Sequence, residues 1–211
     1  MALQNRVDPY GALCAAQERG MWMGNRGVLH DASKRVVAAW RLPRWITCVL
    51  SWKDRRREVF APNRYSELFF LDEATSLSAG HRPCAECRRS RYLEFRAAWD
   101  SALRGRDAET QFLRADAIDR VLHAERLDSR RRKKTYRAAL SSLPAGTMVE
   151  YARAPHLIWR GKLRPWSFGG YGPGVDVAPA EEVDVLTPRS IVGAIREGFV
   201  PQIAEGGSGQ S

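Results

Sequence analysis

Two cysteines three positions apart, Cys84 and Cys87, constrain this chain more than any other feature. They follow Arg82-Pro83 directly and lead into a run with helical spacing. A tight turn at C-x-x-C spacing brings both sulfurs to one side, where they can grip one metal ion. Zinc accepts such a tetrahedral, sulfur-rich set and asks for two more ligands. Redox motifs share the spacing, but a thioredoxin-like reading needs a strand–helix–strand setting that is not evident here. Cys48 is the natural third ligand. It lies in Trp45 to Trp52 (WITCVLSW), whose aromatic and β-branched residues predict a strand that can return to the pair. For the fourth, His30 is preferred, then His81, then Cys14. A lone cysteine in an alanine-rich stretch such as Cys14 reads more simply as a small hydrophobe. The expectation is one structural Zn²⁺ on Cys84, Cys87, Cys48 and His30. Four protein ligands would leave no open position for water, so chemistry would sit elsewhere.

The surroundings of the pair extend the pattern. Phe69 to Cys87 reads FFLDEATSLSAGHRPCAEC. This segment resembles the metal-binding module of the Ada-type DNA repair proteins. That family shows Phe-Phe, a short helix, Ala-Gly, an aromatic residue, Arg-Pro-Cys, two residues and Cys. The pattern falls without a gap on Phe69, Phe70, Leu77, Ala79, Gly80, Arg82, Pro83, Cys84 and Cys87, with His81 at the aromatic position. The resemblance covers about a tenth of the chain and implies a zinc-bearing, DNA-associated module. In that family an upstream C-x-x-x-C pair supplies the other two ligands, and its first cysteine accepts a methyl group. Here Trp52 stands where the second would be, so the resemblance supports Cys48 as a ligand rather than as a methyl acceptor.

Charge points the same way. Lys and Arg number 34 against 24 Asp and Glu, a formal net charge of +10. Such a field draws in polyanions, and DNA is the expected partner. The sharpest cluster is Arg130, Arg131, Arg132, Lys133 and Lys134; Arg55 to Arg57 and Arg88, Arg89 and Arg91 add to it. A solvated, solubility-giving surface is the plainer alternative. No apolar run approaches the roughly 20 residues that span a bilayer. The charged start, Met1 to Asp8, lacks an apolar signal core, so a cytoplasmic protein is expected.

Periodicity predicts an α+β fold: a zinc-stabilised strand and short-helix module, a helical middle and a small β-rich C-terminal part. Met1 to Arg44, broken by glycines, reads as loops and turns. Asp72 to Ala79 is a short helix with Asp72 as N-cap and Gly80 as left-handed stop. Longer helices are expected over Arg88 to Leu103, with Tyr92, Phe95 and Trp99 inward, and over Ala115 to Leu127, with Ile118, Val121 and Leu122 inward. The basic run should lead into a further helix ending near Leu143-Pro144. Beyond it, Met148 to Tyr151, Leu157 to Trp159 and Val183 to Leu186 read as short strands. A last helix is capped by Thr187, begun by Pro188 and ended by Gly198. The expected division is a zinc-containing DNA-binding or catalytic region over 1–143, a small α+β part over 144–205, either a second domain or part of the same one, and a flexible tail over 206–211.

For chemistry, Asp119, His123 and Arg126 fall at i, i+4 and i+7 of one helix, where a carboxylate beside a histidine can activate water. A solvated face with local ion pairs is the commoner meaning of such a pattern. Glu67, ahead of the apolar run Leu68 to Leu71, is a second candidate, since an apolar setting raises a carboxyl pKa. Trp22 and Trp166 sit in loops and could stack on an extruded base. No phosphate-binding or nucleophile-elbow motif occurs. Five lysines in the whole chain disfavour a Schiff-base route. These features lead to a hydrolytic DNA glycosylase acting on modified or damaged bases. A non-enzymatic zinc-stabilised DNA-binding protein is the alternative, and a nuclease a weaker third.

Overall fold

The computed structural model describes residues 2–53, 58–104 and 114–204. Arg55 to Arg57 and the tail 206–211 lie outside the described residues. Among those described, four α-helices and two six-stranded sheets make an α+β protein. No described helix is long and apolar enough to cross a membrane.

The first sheet forms from very short strands. In chain order these are β1 (Gln4–Val7), β2 (Leu13–Ala15), β3 (Trp22–Asn25), β4 (Ile46–Cys48), β5 (Leu68–Phe70) and β6 (Arg82–Pro83). Their spatial order is β2-β1-β5-β3-β4-β6. The segment expected to be loops therefore supplies three strands. Its glycines mark close approach rather than irregularity. A Cβ on Gly24, in the middle of β3, would lie 2.5 Å from the Ile46 carbonyl oxygen and 2.8 Å from the Phe70 ring. Such contacts admit only glycine.

Between β5 and β6 runs α1 (Glu73–Ser78). Asp72 caps it as expected, accepting from the Thr75 N–H at 2.8 Å, an arrangement worth about 1 kcal/mol. Gly80 ends it with φ +86°, and a Cβ there would also strike Arg126 Cδ at 2.7 Å. The long helix α2 (Arg89–Arg104) starts right after the cysteine pair, and α3 is Ala115–Arg126. Tyr92, Phe95, Trp99, Ile118 and Leu122 are all buried. Val121, expected to face inward, is instead 36% exposed.

The second sheet is β7 (Tyr136–Ala139), β8 (Met148–Tyr151), β9 (Ala154–Trp159), β10 (Lys162–Ser167), β11 (Gly170–Tyr171) and β12 (Glu182–Val185), ordered β11-β10-β9-β8-β12-β7. Every pairing in it is antiparallel. The helix expected after the basic run is replaced by β7 and a 3₁₀ turn over Leu140–Ser142. Tyr136 to Ala139 gains a full ladder against β12, and tertiary pairing of that kind overrides local propensity. The last helix, α4, spans Arg189–Arg196. Thr187 does not cap it: its hydroxyl accepts from the Met148 N–H at 2.9 Å. Gly198 closes the helix at φ +98°.

Buried clusters tie the helices to one another and the β5–α1 corner to the second sheet. Leu77 of α1, Phe95 and Trp99 of α2, Ile118 and Leu122 of α3, and Ile191 and Ile195 of α4 form one cluster. Leu71 and Ala74 join Met148, Leu157, Tyr171 and Leu186 in a second. The hydroxyl of Tyr171 donates to buried Asp72 at 2.8 Å, tying β11 to the cap of α1.

Candidate metal centre

Parallel pairing of β4 with β6 builds the centre. Thr47 lies opposite Pro83, and the Cys84 N–H donates to the Thr47 carbonyl at 2.9 Å. The next residue on each strand is a cysteine, so Cys48 and Cys84 leave the sheet side by side. The chain then turns, and the Arg88 N–H returns to the Cys84 carbonyl at 3.2 Å. That turn brings Cys87 back to the same point. The sulfurs of Cys48, Cys84 and Cys87 lie within 4.8 Å of one another. Three ligands each about 2.3 Å from one ion need separations of that order. The three cysteines can therefore hold a metal ion, and they bear out the expected thiol trio.

Electrostatics prepare the cluster for a cation. The Cys84 thiol is held far below the usual thiol range, first because Cys48 and Cys87 donate to its sulfur, then because the Glu86 and Cys87 N–H groups point at it. The Glu86 N–H reaches that sulfur at 3.4 Å. Cys48, the donor to both neighbours, is pushed up. Three thiols thus share protons that a bound cation would displace.

The fourth ligand is not His30. Its ring stacks on Phe60 with centroids 4.4 Å apart, and its nitrogens meet Ser66 Oγ at 2.6 Å and the Ala61 carbonyl at 3.3 Å. A buried imidazole engaged at both nitrogens has no lone pair left for a metal. His81 lies outside the cluster as well, and its buried Nδ1 has no hydrogen-bond partner among the described residues. It packs between the Trp45 and Phe70 rings and pairs with Arg26 Nε at 3.3 Å, and burial lowers its pKa well below the ordinary value. Cys14 sits on β2, paired across from Arg6 and outside the cluster.

Among the described residues no fourth ligand joins the three sulfurs, and the cluster meets a cavity of about 360 Å³ bordered by Cys48, Cys84 and Cys87. Trp52, Tyr65 and Phe69 give it aromatic walls, and Asn25, Glu67 and Glu86 are its polar members besides the cysteines. Glu67 is 3% exposed; its Oε2 accepts from the Phe60 N–H at 3.0 Å. Of the candidate acid–base residues, Glu67 borders this cavity with all three cysteines, while Asp119 borders a separate cavity with Cys84 alone. The aromatic walls escaped sequence reasoning. The usable signal was Trp52, which occupies the position where the resembled module has its second upstream cysteine.

The other candidates are engaged by the fold. Asp119 does not partner His123: it forms a two-pronged ion pair with Arg82, at 2.9 and 2.8 Å, with both side chains almost wholly buried. His123 meets Arg126 at 2.9 Å and the edge of Trp40, and burial followed by the nearby Arg126 charge lowers its pKa. Among the basic residues, Arg88 is no surface contact. It is 5% exposed, paired with Glu73 at 2.7 Å and laid over the Trp22 ring. Arg89, Arg130, Arg131, Arg132 and Lys134 are exposed. Lys133 turns its ammonium to the Ser78 carbonyl, and burial pushes it down to about 7. Trp22 is covered by Arg88, and Trp166 donates to Thr75 at 3.0 Å. Both are built into the fold rather than offered to a base.

Comparison with known proteins adds no relative. No family model matches the chain, no curated protein matches it, and no solved structure matches it.

Proposed function

We propose that the protein binds zinc at Cys48, Cys84 and Cys87 and acts on DNA as a hydrolytic glycosylase of modified or damaged bases. The observation that carries this reading is the cavity that the three thiols share with Glu67 and three aromatic rings. The donor set suits zinc: three thiolates close together, none engaged by a disulfide, with soft ligands selecting zinc over oxygen-seeking ions. The resemblance of Phe69 to Cys87 to Ada-type modules favours the same ion and the same polymer. A zinc ion there would supply positive charge and Lewis acidity beside the cavity.

The chain's own residues do the rest. Trp52, Tyr65 and Phe69 receive a planar base on their ring faces, the usual way of holding an extruded base. Glu67 orients a water and takes one of its protons as the water oxygen bonds to the sugar C1′. The glycosidic C–N bond breaks, its electron pair leaves with the base, and the base is protonated from solvent. Exposed Arg130, Arg131 and Arg132 hold the phosphate backbone, in keeping with the net charge of +10.

Base release tests the reading. Protein loaded with zinc, without added Mg²⁺, is incubated with DNA bearing alkylated, deaminated, hydroxymethylated or glucosylated bases. Mass spectrometry should detect free base, and alkali should reveal abasic sites. Glu67→Gln should suppress both. A second reading, a zinc-stabilised DNA-binding protein without chemistry, is favoured by the engagement of Asp119 and His123 in the fold. It predicts salt-steep binding with no product from any panel.

A further inference from the structure

A second cavity, of about 670 Å³, opens on the C-terminal sheet, away from the cysteines. Three cations border it, Arg160, Lys162 and Arg164, and no acidic residue is among its lining residues. The strand pattern explains the arrangement. Side chains alternate along β10, so Leu163 is buried on one face while Lys162 and Arg164 share the other. Lys162 lies directly opposite Trp159 of β9. Trp159 and Ile203 are partly buried members of the core formed around Leu157 and Met148. The cavity is thus the place where that core opens to solvent: an apolar, aromatic wall with a cationic rim. Its volume falls within the usual range of small-molecule sites.

The three cations are differently committed. Arg164 is fixed, donating to the Gly172 and Tyr171 carbonyls at 3.2 Å each. Lys162 pairs with Asp176 at 2.8 Å, but both side chains are largely exposed, and such pairs yield readily to a better anion. Arg160 forms no ion pair among the described residues and sits in a left-handed turn, φ +51°. That backbone conformation is uncommon for a residue carrying a Cβ. Beside Lys162, a Cβ on Gly174 would lie 2.9 Å from the lysine stem, so glycine leaves that stem its place.

We infer that this cavity binds a nucleotide, with the phosphate held by Arg160 and Lys162 and the base against Trp159. A fork of guanidinium and ammonium donors matches phosphate oxygens, and an indole face suits any base. The ligand is either a free nucleotide or one unit of a nucleic-acid strand. The site stands apart from the metal centre and does not depend on the glycosylase reading.

The test titrates the full-length, zinc-loaded protein with AMP, adenosine, inorganic phosphate and a fluorescent oligo-dT, by calorimetry and fluorescence anisotropy. AMP should bind more tightly than adenosine or phosphate alone. The R160E/K162E variant, altered at two exposed positions, should weaken AMP at least about tenfold, as removal of two charge-assisted hydrogen bonds requires, and leave zinc content and melting unchanged. Trp159→Ala should weaken AMP but not phosphate. Oligo-dT competing with AMP, and weakened by the same variants, identifies a strand as the source; AMP binding without competition identifies a free nucleotide. No AMP binding at millimolar concentration overturns the inference. So does AMP binding that R160E/K162E leaves intact. AMP binding lost only on Glu67→Gln or zinc removal places the ligand in the metal cavity and also overturns it.

Discussion

The two sheets are held together by different physics. The C-terminal sheet is a run of antiparallel hairpins whose core is Val149, Ile158, Leu163, Val183, Val185 and Val192. The N-terminal sheet has strands of two to four residues, and buried polar and charged side chains crowd around it. Arg26, Glu67, His81, Arg82, Asp119 and Arg126 are each at most 5% exposed. Arg26 and Arg126 both lie against Trp45, 3.9 Å from the ring centre, with carbonyls of Gly11, Gly80 and Pro43 as acceptors. Burial, then the nearby Arg126 for Arg26, lowers both guanidinium pKa values to about 9, which leaves both charged at neutral pH. Short strands around buried cations bury little apolar surface per residue. A metal held by Cys48, Cys84 and Cys87 would crosslink β4 to the β6–α2 turn and supply cohesion that apolar packing does not. The C-terminal sheet needs no such device.

The largest test of this contrast is metal removal. Cys84→Ser, or a strong chelator, should release the ion and unfold the N-terminal sheet, since structural zinc carries on the order of 10 kcal/mol of folding free energy. Hydrogen exchange should show β3 to β6 opening while β8 to β12 stay protected. Equal loss of protection in both sheets would break the comparison. Next in size, Asp119→Asn leaves Arg82 buried against a neutral partner and should cost about 3–5 kcal/mol, read as a fall in melting temperature. A loss under about 1 kcal/mol would show the pair to be no more than a surface bridge. Glu67→Gln should lower base release by about a hundredfold or more while costing about 1 kcal/mol of stability or less, since the amide oxygen can still accept the Phe60 N–H, separating a charge kept for chemistry from those kept for the fold.

Lys133 gives a pH signature. Its ammonium is pushed from 10.5 down to about 7 by burial and by Arg26. Between those two pH values the unfolded chain binds more protons than the folded one, so stability should rise as pH climbs from about 7 towards 10.5. Lys133→Met should flatten that rise, and an unchanged slope would assign it to another group. Smallest in stability is neutralising Arg130, Arg131 and Arg132. Asp128 still accepts the backbone N–H groups of residues 130 and 132 at 2.8 Å, so the turn should persist. The salt dependence of DNA affinity should flatten by roughly 0.9 in slope for each phosphate no longer neutralised.

What the sequence revealed follows the range of each interaction. The cap at Asp72, the stop at Gly80 and the inward face of α2 are local, and all are legible. The thiol trio was legible because β-branched residues around Cys48 predict a strand, and a strand beside the pair is enough to deliver a third sulfur. The fourth position was not, since His30 is claimed by Phe60 and Ser66, neighbours that no spacing rule announces. Asp119 and His123 share a helix but answer to Arg82 and Arg126 respectively. The i, i+4 rule locates neighbours, and the wider fold then decides which of them pair. Strands β1 to β3 were hidden because glycine, read as a breaker, is required where backbones meet at Gly24. Strand β7 was hidden because its partner, β12, lies more than forty residues downstream.

Zinc K-edge absorption on the purified protein tests the centre most directly. The account predicts one zinc per chain with three sulfurs near 2.3 Å and one lighter oxygen or nitrogen neighbour, as about 2.3 Å is the usual zinc–sulfur distance. That is the signature of a trio open to its cavity. Four sulfurs, or an imidazole pattern that vanishes in His30→Ala, would contradict it.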